Sequence, residues 1–295
     1  MPIRSPIHEL PTHHVANQPT HLENYNLFEI DVPLAEAVNR YGAQWSTSLL
    51  QSFGRELGLS ETIEHGRLAN RNKPELKTYD RFGHRIDEVD FHPSYHHLMK
   101  IGMQFGVHSL AWKTDDTGGH VAHTALEYML GQIDGGVCCP LTMSYAVIPA
   151  LENNPELSKR FLPKLLSNNY DPRCIPISEK DSMTMGMAMT EKQGGSDVRA
   201  NTSRAVPAEE TDWGPGWHLT GHKWFCSAPM SDAFLTLAKT SNGLSCFFIP
   251  RFRPDGTRNN FFIQRLKDKL GNQSNASGEI EYDRTFGILV GEEGR

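Results

Sequence analysis

No stretch of this 295-residue sequence approaches the ~20 consecutive apolar residues that a membrane-spanning helix needs. The opening residues, MPIRSPIHELPTHH, contain no apolar core of the secretory kind, so no export signal is expected. Cysteine is scarce: Cys138, Cys139, Cys174, Cys226 and Cys246 are the five, an odd number with no C-x-x-C spacing. That argues against a disulfide framework or a cysteine-rich zinc site and fits the reduced thiols of a soluble cytoplasmic protein. There is no G-x-G-x-x-G after a strand, so a dinucleotide would not be held in the Rossmann manner. Positive charge is in deficit, with 29 basic against 35 acidic residues and a net charge of −6. Nucleic acid rewards clustered Lys and Arg, which makes it a poor partner for this chain. Internal repeats and low-complexity tracts are also missing.

What remains is a globular composition, 38% hydrophobic and 22% charged, long enough for one large or two ordinary domains. Residues 1–30 are rich in Pro, His and Asn without any period, and read as an extended arm ordered by another subunit. Asp31 followed by Pro33 marks a helix start. Leu34, Val38, Tyr41, Trp45, Leu49, Leu50 and Phe53 continue at helical spacing. A second helix is expected after Ser60, and a hairpin turning at Gly83 within residues 77–91. Helices are expected again over 93–112, 118–131, 141–153 and 155–166, giving a helical domain over 31–180. From residue 181 the pattern becomes short β-branched and aromatic runs between turn residues: GMAMT, GWHLTGHKWFC, AFLTLAKT, SCFFIPRF, NFFIQRL, GEIEYD and FGILVG. Strands gathered after helices, rather than alternating with them, predict an α+β fold with an antiparallel barrel over 181–295.

Two segments carry the chemistry. The first, MAMTEKQGGSDV, puts Met187, Met189 and Thr190 just ahead of Gly194, Gly195, Ser196 and Asp197. The second, GHKWFCSAP, sets Trp224 and Phe225 ahead of Cys226 and Ser227. Alone, a Gly-Gly-Ser reads as a turn and a Trp-Phe pair as core. Together they supply what a flavin needs: a flat apolar surface for the ring, a hydroxyl and N–H groups for its polar edge, and bare backbone for its pyrophosphate.

The two segments in this order resemble the central barrel of the acyl-CoA dehydrogenase family. The spelling TEKQGGSDV, then GHKWF and RLKDKLGNQSNAS (Arg265 to Ser277), resembles its AidB-like branch, which is linked to the bacterial response to DNA alkylation. ANQP (Ala16 to Pro19), GRLAN (Gly66 to Asn70), CPLTMSYAVIPAL (Cys139 to Leu151) and GLSCFFIPRF (Gly243 to Phe252) extend the resemblance over nearly the whole chain. The resemblance implies FAD as cofactor, with Met187, Met189, Thr190, Gly195, Ser196, Phe225, Cys226 and Ser227 lining it. Thr190 would meet the pyrimidine edge, Gly195 and Ser196 the pyrophosphate, Ser227 the N5 and Phe225 the ring. Gly271 and Ser274 would stand on the substrate side. It further implies acyl-CoA as substrate, oxidised at a CH–CH bond with a glutamate as base, and a homo-oligomer for the full-length family. DNA is left as a partner for the full-length protein only.

In that family a helical bundle follows, bearing the base and most of the subunit interface. The sequence matches the half before it, so this chain by itself is expected to lack the catalytic glutamate and to be inactive. A non-enzymatic flavin-holding or DNA-protective role, or a degenerate fragment, is the alternative. Glu191 matches a structural carboxylate, not the base, and no catalytic residue is assigned. His96-His97 and the His120–His123 pair lack matching ligand spacing, so no metal site is expected. The adjacent Cys138-Cys139 suit packing at a helix entrance better than a redox pair.

Overall fold

A computed structural model describes residues 9–295. The first eight residues of the expected arm lie outside the described residues. Beyond them, β1 (Glu9–Leu10) and β2 (His13–His14) form a minimal hairpin. The extended span ends at Asn26 rather than at residue 30. The Asn26 carboxamide accepts from the N–H groups of Phe28 and Glu29 and so caps α1 (Leu27–Ile30). Asp31 then caps α2 (Val32–Arg40), accepting from Leu34 N at 3.0 Å with Pro33 in the first turn. The helical spacing that runs on to Phe53 is interrupted at Gly42, whose φ of +81° no helix permits, before α3 (Thr47–Leu57) and α4 (Ser60–Arg71). The hairpin β3 (Glu75–Tyr79) and β4 (Arg85–Asp90) turns through Gly83.

After it, α5 (Pro93–Gln104) stops short of the expected Trp112, because Gly106 takes φ +74°. Then come α6 (Leu110–Lys113), α7 (Gly119–Ile133), α8 (Gly135–Ala146), α9 (Ile148–Leu151) and α10 (Pro155–Leu165). Leu50 and Phe53 of α3, Leu98 of α5, and Leu126 and Leu130 of α7 meet in one apolar core. Each such side chain contributes about 1.5–3 kcal/mol by leaving water. Among the described residues no helix is long and apolar enough to cross a membrane.

The second half is a sheet of seven strands: β5 (Met185–Ala188), β6 (Arg204–Thr211), β7 (Gly214–Ser227), β8 (Ala233–Thr240), β9 (Gly243–Pro250), β10 (Phe261–Leu266) and β11 (Ser277–Val290). The order is β10-β11-β9-β8-β5-β7-β6, and β11 also pairs with β7, so the sheet closes on itself as a barrel. Pairing is antiparallel throughout except where β5 and β6 lie parallel to β8. GEIEYD and FGILVG prove to be one strand, β11, bent by a bulge at Asp283-Arg284 where Arg284 takes φ +52°. The bend lets the strand leave β10 and reach β9. β6 carries Pro207 and two glutamates in a mostly exposed strand, which hid it from a hydrophobic pattern.

The two halves are clamped by the loop after β10. Ser274 Oγ lies 2.7 and 2.8 Å from the two oxygens of Asp134, the residue that caps α8. A Cβ at Gly136 would come within 1.9 Å of Ser274 Oγ, so this approach requires glycine.

Candidate functional site

The two chemistry-bearing segments are brought together by pairing of β5 with β7. Met187 stands opposite Ser227 and Ala188 opposite Cys226. One step on, Trp224 N donates to Thr190 O at 2.7 Å. Partners directly opposite share a face. Ala188 and Cys226 are fully buried and face the barrel interior, while Met187 and Ser227 face out. On the same outer side Met189 is 36% and Phe225 45% exposed.

Ordinary alternation along β7 would point Trp224 and Phe225 to opposite faces. Between the pairs Lys223–Ile280 and Cys226–Gly278, however, β7 places two residues against one on β11. This bulge lets Lys223 and Cys226 both point inward and leaves the two aromatics on the outside. The result is an apolar outer wall of Met187, Met189, Trp224 and Phe225 with the Ser227 hydroxyl beside it.

Behind the wall lies a buried ion pair. Glu191 and Lys223, both with fully buried side chains, meet at 2.9 Å. Glu191 also accepts from Thr202 N at 2.6 Å, Thr202 Oγ1 at 2.9 Å, Gln193 Nε2 at 2.7 Å and Ser203 N at 3.1 Å. Burial pushes its carboxyl up, but these hydrogen bonds outweigh it and hold the group well below the usual carboxylate range. Lys223 also donates to Leu237 O at 2.7 Å, and burial pulls its ammonium down against the opposing pull of Glu191.

The pair fixes the loop that follows Thr190. Glu191 and Gly194 exchange both backbone hydrogen bonds, closing a tight turn. A Cβ on Gly195 would stand 2.7 Å from Thr190 Oγ1, so only bare backbone fits against that threonine. Gly195 and Ser196 are exposed beyond it.

The wall is rimmed by positive charge. Lys267 Nζ sits 3.2 Å from the centre of the Trp224 ring and 4.6 Å from that of Phe225. Arg265 and Lys192 approach the Trp224 ring at 5.7 and 5.8 Å. Glu279 neutralises part of this charge, accepting from both Arg265 and Lys267 at 2.7 Å. An apolar face, an outward hydroxyl, a glycine-bared loop and a cationic rim suit a flat ring that carries phosphates.

Of the residues expected to line a cofactor, Met187, Met189, Thr190, Gly195, Ser196, Phe225 and Ser227 gather here. Cys226 differs: its thiol lies in the barrel core, where burial pushes its pKa up, and only its main chain reaches this side. Two features escaped sequence reasoning. Trp224 was visible as an aromatic but not as the centre of a cation cluster. Lys223 was legible only as a lysine at an inward strand position, a signal for a buried partner.

Three of the singled-out histidines are held by hydrogen bonds. His96 Nδ1 is bonded to Tyr170 OH, His123 Nδ1 to Val107 O and His120 Nδ1 to Tyr145 OH. No cluster fit for a metal occurs among the described residues. All five cysteines are free.

Comparison with known proteins gives matches in both halves. Residues 17–172 match the family described as adaptive response protein AidB N-terminal domain, and residues 186–285 match the acyl-CoA dehydrogenase middle domain. The chain is 49% identical to the putative acyl-CoA dehydrogenase AidB of Escherichia coli K12, over 96% of its own length and 52% of that protein. It is 29% identical to acyl-CoA dehydrogenase family member 11 of Caenorhabditis elegans, over 83% of its length and 40% of that protein. The crystal structure of C. elegans ACDH-11 in complex with C11-CoA superposes with a TM-score of 0.80 at 26% identity, covering 96% of this chain and 49% of that one. The chain thus spans about half the length of the relatives it matches.

Proposed function

The chain belongs to the acyl-CoA dehydrogenase family, in its AidB-like branch, and from that premise we propose that the outer wall of its barrel is the FAD site of an AidB-like flavoprotein. The observation that carries this reading is the β7 bulge. It turns Trp224 and Phe225 outward beside Met187 and Ser227, directly over a loop locked by Glu191 and Lys223.

Met187, Met189 and Phe225 would pack on the ring, and the Ser227 hydroxyl and the main chain at Cys226 would meet its polar edge. Thr190 would hold the pyrimidine side, while Gly195 and Ser196 would leave room for the pyrophosphate beside the Lys267 and Arg265 charges. Bound FAD would supply the acceptor for two electrons and a proton.

Acyl-CoA is the substrate class we propose for the whole protein, supported by the C11-CoA complex of the C. elegans relative. Glu191 does not serve as base in this proposal. Both its oxygens are occupied by five donors, and a proton would have to displace them. We place the base in the part of the relatives' length that this chain does not span, and the chain alone as cytoplasmic and without dehydrogenase turnover.

The test is the visible spectrum of the purified chain, mixed with FAD and then desalted. A retained flavin band that is diminished in Phe225→Ala supports the site, and a colourless folded protein refutes it for this chain. Flavin-dependent oxidation of an acyl-CoA by the chain itself would overturn the placement of the base.

A further inference from the structure

Lys267 is the first residue after β10, and its side chain returns over the outer wall. Its main chain is fixed. Lys267 N donates to Ser277 O at 2.7 Å, and Ser277 stands opposite Ser227 where β11 pairs with β7. One strand therefore separates Lys267 from the wall's hydroxyl, and only the four-carbon stem of the lysine can turn.

The ammonium covers both aromatic rings of the wall. With Nζ only 3.2 Å from the Trp224 centroid it stands over the ring face, since in the ring plane it would overlap the ring atoms. The same atom lies over Phe225 at 4.6 Å. The Lys267 side chain is 12% exposed, so the ammonium is laid down on the rings rather than extended into water. There it gains the attraction of the ring quadrupoles. A flat uncharged ligand seeking the same faces would have to displace it and offer it nothing in return.

Glu279 is the carboxylate that holds it. Glu279 Oε1 accepts from Lys267 Nζ and from Arg265 Nε, each at 2.7 Å. Glu279 is buried, and stranding such a carboxylate is costly. When Lys267 turns away it is not stranded, because Arg265 stays bonded to it. Lys267 can thus leave the rings without unpairing a buried charge, provided that its ammonium finds another anion. The adjacent acid, Asp268, is engaged by Lys73 at 3.2 Å.

We propose that Lys267 makes the outer wall selective for a flavin that carries phosphate, an inference that rests on the reading of this wall as the FAD site. The ammonium bars the rings to an uncharged flavin and yields them to one whose phosphate accepts it.

The test is titration of the 295-residue chain with riboflavin, FMN and FAD, followed by flavin fluorescence. FMN isolates the phosphate from the adenine. FMN should bind at least tenfold tighter than riboflavin. In Lys267→Ala the rings are uncovered and the phosphate loses its partner, so riboflavin should tighten at least twofold and the FMN-to-riboflavin ratio should fall at least fivefold. Lys267→Arg keeps a cation at this position and should keep the ratio within twofold, which separates loss of charge from loss of fold. Three results would each overturn the inference while leaving the FAD site standing. These are FAD binding with equal affinity for FMN and riboflavin, a ratio unchanged in Lys267→Ala, and an equal weakening of both flavins in that variant. Binding of none of the three flavins would overturn both.

Discussion

Inside the barrel, Glu191 and Lys223 sit out of water as a full ion pair, whereas in the helical half His108 sits equally buried as a neutral ring. The difference lies in how many partners each site offers. Glu191 receives five donors, and that hydrogen bonding outweighs the cost of burying the charge. His108 has one contact, Nε2 to Ser167 O at 2.9 Å. Nε2 therefore donates to the carbonyl, and Nδ1 is buried without a partner. A proton added at Nδ1 would find no acceptor, so burial pulls the His108 pKa from 6.5 down to about 4. Between the two stands Lys180–Asp232 at the junction of the halves. Asp232 accepts from Lys180 and from Thr184 N, fewer bonds than Glu191, and burial there raises the carboxyl despite the nearby lysine. Partner count, more than depth, decides the protonation state.

The largest effect that would break this comparison is expected from Glu191→Gln. Lys223 would be left buried without an anion, and loss of one partner of such a pair costs about 3–5 kcal/mol. Urea unfolding of the variant measures this, and its FAD retention should fall with it because Thr190 and Gly195 lose their anchor. A cost below about 1 kcal/mol would mean that buried Lys223 does not depend on its anion.

Acid titration comes next in size. Because His108 is neutral in the fold and the unfolded chain takes up its proton near 6.5, stability is full above that pH. It falls by up to about 1.4 kcal/mol per pH unit as the pH drops from 6.5 to 4. His108→Gln should flatten that interval. Glu191 acts lower, since its folded pKa is depressed: its contribution is present above 4.5 and is lost as the pH falls further. Glu191→Gln should flatten only this second limb. Interchanged limbs in the two variants would refute the assignment.

Asp232→Asn sharpens the contrast between the two ion pairs. With its carboxyl already pushed toward the neutral form, the substitution should cost less than half of what Glu191→Gln costs in the same urea series. Equal costs would show that hydrogen-bond count is not the deciding quantity.

The smallest change in stability is expected from Phe225→Ala on the outer wall. At 45% exposure the ring contributes little to folding, so stability should stay within about 0.5 kcal/mol of the parent while FAD affinity drops about tenfold. Loss of stability without loss of affinity would return Phe225 to the core.

Much of the fold was legible along the chain. The Asp31 cap with Pro33, the hairpin at Gly83 and the strand runs from Met185 onward follow from capping chemistry, turn chemistry and period-two patterning. These are local preferences, readable from neighbouring residues. The outer-wall residues could be nominated because their types sit close together in two short segments.

Other features were decided only by tertiary structure. Nothing in GHKWFCS says that β7 bulges, yet the bulge alone puts Trp224 and Phe225 on one face. It also sends Cys226 inward, away from the outer wall. That Lys223 meets Glu191 depends on which strands become neighbours when the barrel closes. Sequence fixes each residue's chemistry and local conformation. Burial and partnership are set by contacts between residues far apart in the chain, and these set which charges persist.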